Sequence, residues 1–153
     1  MKKERKEKLI NEARKTAENY FKRGDYYFSE SVITTINEML DKPFEPRIVK
    51  MASGFPIGIG KSKCLCGAVS GGVMALGLAY GRENPGEDMP DSFPNNAELH
   101  DYIVEKYGST CCSVLTMEFN EFDSKERAEH CYDITGEVAA WVMENFIEND
   151  VIK

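Results

Sequence analysis

A helix with a nearly bare face is the feature that most constrains how this chain folds. Gly67, Gly71 and Ala75 recur every four residues, so they line one face of a predicted helix. An internal glycine costs a helix about 1 kcal/mol relative to alanine. The spacing therefore predicts that something approaches this face closely. A partner helix and a cofactor both remain open at this point.

Two cysteines, Cys64 and Cys66, stand at the start of this helix. The free N–H groups and the positive dipole end of a first helical turn favour an anion, and Lys61 and Lys63 add two cations. Such neighbours favour the thiolate form of a cysteine. We therefore expect Cys66 to be the most reactive thiol, with a pKa below that of a free cysteine.

Cysteine content and charge limit the class of protein. The chain has 153 residues, five cysteines, two histidines and a net charge of -7. An odd cysteine count and a lysine-rich start predict a reducing cytoplasm, where thiols serve as metal ligands, redox groups or small core residues. The negative charge disfavours nucleic acid. The longest apolar run, Val73 to Tyr80, is too short to span a membrane, so no membrane partner is expected.

Apolar residues recur at helical spacing along most of the chain, and no strand alternation is visible. This pattern predicts the all-α class, with a single domain over residues 1–153 and a bundle of about five helices. On the last predicted helix, Cys131 shares the apolar face with Val138 and Val142. The predicted helices run from Lys3 to Lys22, from a cap at Ser29 or Ser31 to Leu40, through Arg47 to Ala52, from near Cys64 or Cys66 to Tyr80, from Ala97 to Tyr107, and from Ser124 to Asn149.

Motifs for other known chemistries are incomplete. Gly60-Lys61-Ser62 lacks the earlier glycine of a phosphate-binding loop, because Phe55 stands in its place. His130 adjoins Cys131, but neighbouring helical residues point about 100° apart, so we expect His130 to be exposed rather than paired with the thiol. The cysteines are therefore the strongest candidates for function.

The segment from Cys66 to Gly71, which reads Cys-Gly-Ala-Val-Ser-Gly, resembles the central motif of the C-GCAxxG-C-C family of redox-active proteins. Cys112 and Cys131 look like the third and fourth cysteines of that family, and Phe28 stands where the family has its first cysteine. The resemblance implies redox or iron–sulfur chemistry, since a related module in a split-Soret type cytochrome looks like a two-iron cluster site. An oxidoreductase and an electron carrier are both compatible with it.

The first hypothesis is a cysteine-ligated metal site. Cys66, Cys112 and Cys131 would converge on one site, and Cys64 would supply the fourth thiolate for an iron–sulfur cluster or another soft metal. We also expect the ring of Phe28 to point into the same cavity as Cys66, in space that a metal would otherwise occupy. The small residues that let this cofactor approach would be Gly67, Ala68 and Gly71.

The alternative is a metal-free thiol–disulfide oxidoreductase. Cys66 would attack a disulfide and Cys64 or Cys112 would resolve the product, with Cys131 as the remaining catalytic candidate. Cys64 and Cys111 look like additions to the family pattern. A third hypothesis is an interaction module with a vestigial cysteine site. The sequence does not identify the redox partner, and a homodimer is left open.

Overall fold

The computed structural model describes residues 1–153, and its regular secondary structure is entirely helical, apart from one isolated bridge. This confirms the all-α class. The chain forms six α-helices and one 3-10 helix, so the prediction of about five helices was slightly low. The shortest helix has four residues, too few for periodicity to reveal it. The elements are α1 (Lys3–Lys22), α2 (Phe28–Met39), a 3-10 helix (Pro46–Ala52), α3 (Gly67–Tyr80), α4 (Ser92–Tyr107), α5 (Cys112–Leu115) and α6 (Lys125–Glu148).

The observed helix bounds agree with the predicted ones for α1, which a glycine follows, but not for α4. α1 has the predicted bounds, and Gly24 follows it with a φ of +76°. α4 begins at Ser92, whereas the prediction placed its start at Ala97. Pro94 lies in the first turn of α4, where the backbone N–H has no helical partner, so the proline does not break the helix. The loop before α4 is therefore shorter than predicted.

The centre of the bundle is α6, which contacts α1, α2, α3 and α4. Val138, Val142 and Phe146 of α6 are fully buried, which confirms the apolar stripe predicted for the last helix. Ala13 and Ala17 on α1 are also fully buried, and their small side chains let α1 lie close to α6. No helix combines the length and the apolar character needed to cross a membrane.

The bare face of α3 packs against other helices. A Cβ at Gly71 would lie 2.7 Å from the carbonyl oxygen and 2.8 Å from the Cα of Ser29 on α2. A Cβ at Gly72 would lie 2.6 Å from Val138 and 2.7 Å from Leu99. These distances are shorter than any ordinary carbon contact, so a side chain at either position would push the helices apart. The sequence predicted that something lies close to this helix face, and at Gly71 and Gly72 it is neighbouring helices of the same chain.

A buried glutamate on α6 links that helix to α1 and α4. Glu137 of α6 accepts hydrogen bonds from Arg14 of α1 at 2.7 Å, from Lys106 of α4 at 2.8 Å, and from the hydroxyl of Tyr102. Burial alone would raise the pKa of Glu137, but these three donors outweigh it and lower the pKa to about 2. The carboxylate is therefore charged and fully partnered at neutral pH.

Candidate functional site

A short pairing of two chain segments brings the cysteine-bearing helix starts together. Leu65 and Cys111 form an isolated antiparallel bridge. The N–H of Cys66 donates to the carbonyl oxygen of Thr110 at 2.8 Å, and the N–H of Cys112 donates to the carbonyl oxygen of Cys64. Cys66 is the N-cap of α3 and Cys112 is the first residue of α5. The pairing thus places the starts of α3 and α5 side by side.

The loop that leads to this pairing has an unusual backbone. Ile57, Ile59 and Lys61 have φ values of +55°, +61° and +69°, in the left-handed region. A β-branched residue in this region is strained, at a cost of about 1–3 kcal/mol. A Cβ at Gly58 would lie 2.7 Å from the backbone just before Cys64, so only glycine fits this tight return. Ile57 also lines the cavity that the cysteines share.

Three cysteines from separate parts of the chain line one cavity. Cys66 of the α3 cap, Cys112 of α5 and Cys131 of α6 all contribute to its wall. Its volume is about 20 Å³, which is room for one water-sized group. The three cysteines that were expected to converge therefore share one cavity wall. The rest of the wall consists of Phe28, Ile57, Gly67, Ala68, Leu115, Thr116, Arg127 and Ile134.

The thiols in this cavity are poor acids. Burial raises the pKa of Cys66 to about 12, and the neighbouring Cys131 and Cys112 raise it further. The backbone N–H groups of Ala68 and Val69 lower that pKa, as expected at a helix start, but they do not offset the burial. The prediction of a depressed pKa for Cys66 was therefore wrong, because the sequence does not reveal how deeply a thiol is buried.

Cys131 and Cys112 follow the same trend with one difference. Burial raises the pKa of Cys131 to about 11 and also raises the pKa of Cys112. In both cases the charge of Arg127 is the largest opposing influence and lowers the pKa. Both of these thiols therefore lie near a cation that favours their thiolate forms.

Arg127 is a site residue that sequence reasoning missed. It lies one turn before Cys131 on α6, with Nη1 at 4.0 Å from the Cys131 sulfur. Arg127 is 9% exposed to solvent, and its buried Nε has no hydrogen-bond partner. The guanidinium carbon lies 4.0 Å from the centre of the Phe122 ring, and Lys63 Nζ lies 4.3 Å from the same ring. The four-residue spacing to Cys131 was the available signal.

Phe28 lies on the wall of the same cavity as Cys66. It is the first residue of α2, is buried, and packs against Phe21 with ring centres 4.2 Å apart. A Cβ at Gly67 would lie 3.3 Å from the Phe28 Cβ, so Gly67 leaves room for the aromatic residue. Gly67 and Ala68, two of the three residues predicted to let a cofactor approach, line the cavity. Gly71 does not, because α2 covers it.

The other two cysteines and both histidines lie outside the cavity. Cys64 is exposed, and the Cys111 sulfur lies 3.2 Å from the hydroxyl of Ser113. That contact, together with nearby backbone N–H groups, lowers the pKa of Cys111. His130 is half-buried between the rings of Tyr107 and Phe119, so the expectation that it is exposed was wrong. His100 lies on the surface beside Asp101.

The residues of the cavity do not fit a four-thiolate cluster. A two-iron cluster commonly takes four cysteine ligands, whereas the cavity offers three. The fourth predicted ligand, Cys64, is exposed and lies outside it, while Phe28 and the cation Arg127 occupy the wall. No group of three or more His, Cys, Asp or Glu side chains is positioned to hold a metal ion. The iron–sulfur cluster stays a prediction from the resemblance.

The fold and the cavity define a class: an all-helical protein with several cysteines from distant segments gathered at one site. Within that class, a family model described as "Putative redox-active protein (C_GCAxxG_C_C)" matches residues 26–145. The match covers most of the chain and every residue of the cavity wall, and the chain belongs to this family. Comparison with curated proteins and with solved structures gave no match.

Proposed function

We propose that this protein is a metal-free thiol–disulfide redox protein that works through Cys66, Cys112 and Cys131. The observation that carries the proposal is the convergence of these three cysteines on one cavity. All five cysteines are free thiols, so the structure is that of the reduced protein. The family to which the chain belongs supports a redox role.

The reaction requires only two of the three cavity thiols. One of them, as the thiolate, attacks a disulfide of the partner molecule, which forms a mixed disulfide and releases one partner thiolate. A second cavity thiolate attacks the mixed disulfide at the protein sulfur and releases the other partner thiolate. Two electrons pass from the protein dithiol to the partner disulfide, and the two cysteine protons end on the two released thiolates.

The cavity favours the disulfide product over isolated thiolates. Because burial raises the pKa values of Cys66 and Cys131 to about 12 and about 11, a lone thiolate is disfavoured there. A disulfide is uncharged and takes no such penalty. Arg127 opposes the effect of burial at both Cys131 and Cys112, so these two are better placed than Cys66 to open the exchange at neutral pH. This assigns the attack to Cys131 or Cys112, where the sequence favoured Cys66.

Oxidation followed by peptide mapping tests this function. The protein is treated with diamide, which accepts two electrons and two protons, and is then alkylated, digested and analysed by mass spectrometry. We expect one intramolecular disulfide between two of Cys66, Cys112 and Cys131. The matched control is the double variant C64S/C111S, which removes the two cysteines outside the cavity and should form the same disulfide.

Two results would count against the proposal. A disulfide that joins only Cys64 and Cys111, or no intramolecular disulfide at all, would show that the cavity thiols do not form a redox pair. Protein purified without oxygen that is brown and carries about two irons per chain would favour the iron–sulfur alternative. We expect such protein to be colourless, with less than a tenth of an equivalent of iron or zinc.

A further inference from the structure

Helix α6 carries the two buried charged residues of this protein, and they differ in whether they have partners of opposite charge. Glu137 is 7% exposed and accepts bonds from three donors, as described above. Arg127 is 9% exposed, forms no ion pair, and its buried Nε has no partner. A buried charge without a partner is strongly disfavoured, and proteins normally pair it. Arg127 therefore carries a charge that the rest of the chain leaves unbalanced.

The surroundings of Arg127 supply no counter-ion from the protein itself. Its side chain contacts the sulfur of Cys131, at 4.0 Å in the cavity wall, and the face of the Phe122 ring, which lies outside that wall. Burial keeps Cys66 and Cys131 in the neutral thiol form at neutral pH. The ring of Phe122 lies against both Arg127 and Lys63, which places a second cation at the same edge of the site. The missing partner of this site is an anion.

The cavity limits how much of that anion can enter. Its volume of about 20 Å³ admits one atom the size of a water oxygen or slightly larger. A single sulfur or carboxylate oxygen at the end of a molecule meets this limit, whereas a whole substrate does not. The ligand is therefore small at its reacting end, and its remaining atoms lie outside the cavity.

We propose that Arg127 makes the three-thiol cavity selective for small organic disulfides that carry a carboxylate. This inference rests on the proposed thiol–disulfide function and adds the substrate class to it. The guanidinium binds the negative charge of the substrate beside the attacking sulfur and then faces the thiolate that leaves. Arg127 keeps its proton throughout, since the electrons and protons move only between the cysteines and the disulfide.

The test compares two small disulfides that differ mainly in charge. Bis(carboxymethyl) disulfide is anionic, and bis(2-hydroxyethyl) disulfide is neutral. Their rates of reduction are measured in the C64S/C111S background, so that only the cavity cysteines react, and each rate is divided by the rate with free cysteine. We expect the normalised rate with the anionic reagent to be about tenfold higher than with the neutral one, which is the lower end of what a hydrogen bond to a charged group contributes.

Three variants in the same background assign that preference to one side chain. Arg127→Gln should lower the anionic-to-neutral ratio to about one, whereas Arg127→Lys should keep a ratio above one because it keeps the charge. The matched control is Arg82→Gln, which removes an exposed arginine outside the site and should keep the full preference. Circular dichroism on each variant reports whether the helical fold is intact.

The outcomes separate this inference from the proposed function. Equal normalised rates for the two reagents, in protein that reduces both, would overturn the anion selectivity and leave the redox function standing. Failure to reduce either reagent would overturn the redox function itself. If Arg127→Gln proves unfolded, a ratio for Arg127→Lys no greater than one would overturn the role of the charge.

Discussion

The reactivity of Cys66 gives a direct test of the physical reasoning about the cavity. Burial raises its pKa to about 12, whereas the pKa of Cys111 on the surface is lowered from the usual value near 9.0. Relative to an unperturbed thiol of pKa 9.0, Cys66 has about a thousandfold less thiolate at about pH 8. The intrinsic nucleophilicity of a thiolate rises with its pKa, with a Brønsted coefficient of about 0.4–0.5. The net expectation is exchange roughly 30- to 60-fold slower than that of an unperturbed thiol.

Two single-cysteine variants make this measurement. One keeps only Cys66 and the other keeps only Cys111, with serine at the remaining cysteine positions. Each reacts with dithiodipyridine from about pH 7 to about pH 12, and the released thiopyridone is followed by its absorbance. The Cys66 rate should rise about tenfold per pH unit until pH 11–12, whereas the Cys111 rate should level off below pH 9.

Unfolding provides the control, and one outcome refutes the reasoning. In urea the two variants should react alike, because both thiols are then hydrated and have ordinary pKa values. If folded Cys66 reacts as fast as Cys111 at about pH 8, or if its rate levels off below pH 9, burial does not govern its acidity. The helix start and the nearby lysines would then dominate, as the sequence alone suggested.

Three further predictions concern stability and metal uptake. Lowering the pH from 4.5 to about 2 protonates Glu137 and removes its ion pairs, so the unfolding free energy of the wild type should fall by about 3 kcal/mol in urea titrations. The unfolding free energy of Glu137→Gln should depend less on pH over this range. Lys61→Asn should raise the unfolding free energy by up to about 1 kcal/mol, because asparagine tolerates a φ of +69°, whereas the same change at exposed Lys42 should have little effect. Phe28→Cys should raise zinc bound per chain in reconstituted protein, because it adds a fourth thiol to the cavity, and Phe93→Cys, at a residue that is 74% exposed, is the control that should not.

Much of the helical framework follows from local patterns in the sequence. The four-residue recurrence of Gly67, Gly71 and Ala75 correctly indicated a close approach, and Gly71 meets the backbone of Ser29. The prediction that the cysteines meet at one site came from the resemblance to the family rather than from periodicity. Their spacing along the chain contains no information on which segments meet, because that depends on tertiary packing.

The parts that could not be predicted depend on contacts between distant segments. The pairing of Leu65 with Cys111 is too short to produce alternation in the sequence. The run of positive φ values includes Ile57 and Ile59, residue types that rarely adopt this conformation, so no propensity rule identifies it. The raised pKa of Cys66 likewise follows from burial by elements far along the chain. These three features lie at the cavity or in the segments next to it, where several parts of the chain meet.

Phe28 and Arg127 act on the chemistry of the cavity in the same direction. A soft metal ion needs several thiolates together, and Phe28, which the sequence resemblance places at the position of the first family cysteine, contributes a ring rather than a thiol to the cavity wall. Arg127 adds a fixed positive charge beside Cys131 and Cys112, which repels a metal cation and attracts an anion. A thiolate stabilised by this guanidinium keeps its electron pair available for attack on sulfur, whereas a thiolate bound to a metal does not. The two residues together therefore support the proposed exchange with an anionic disulfide rather than metal binding.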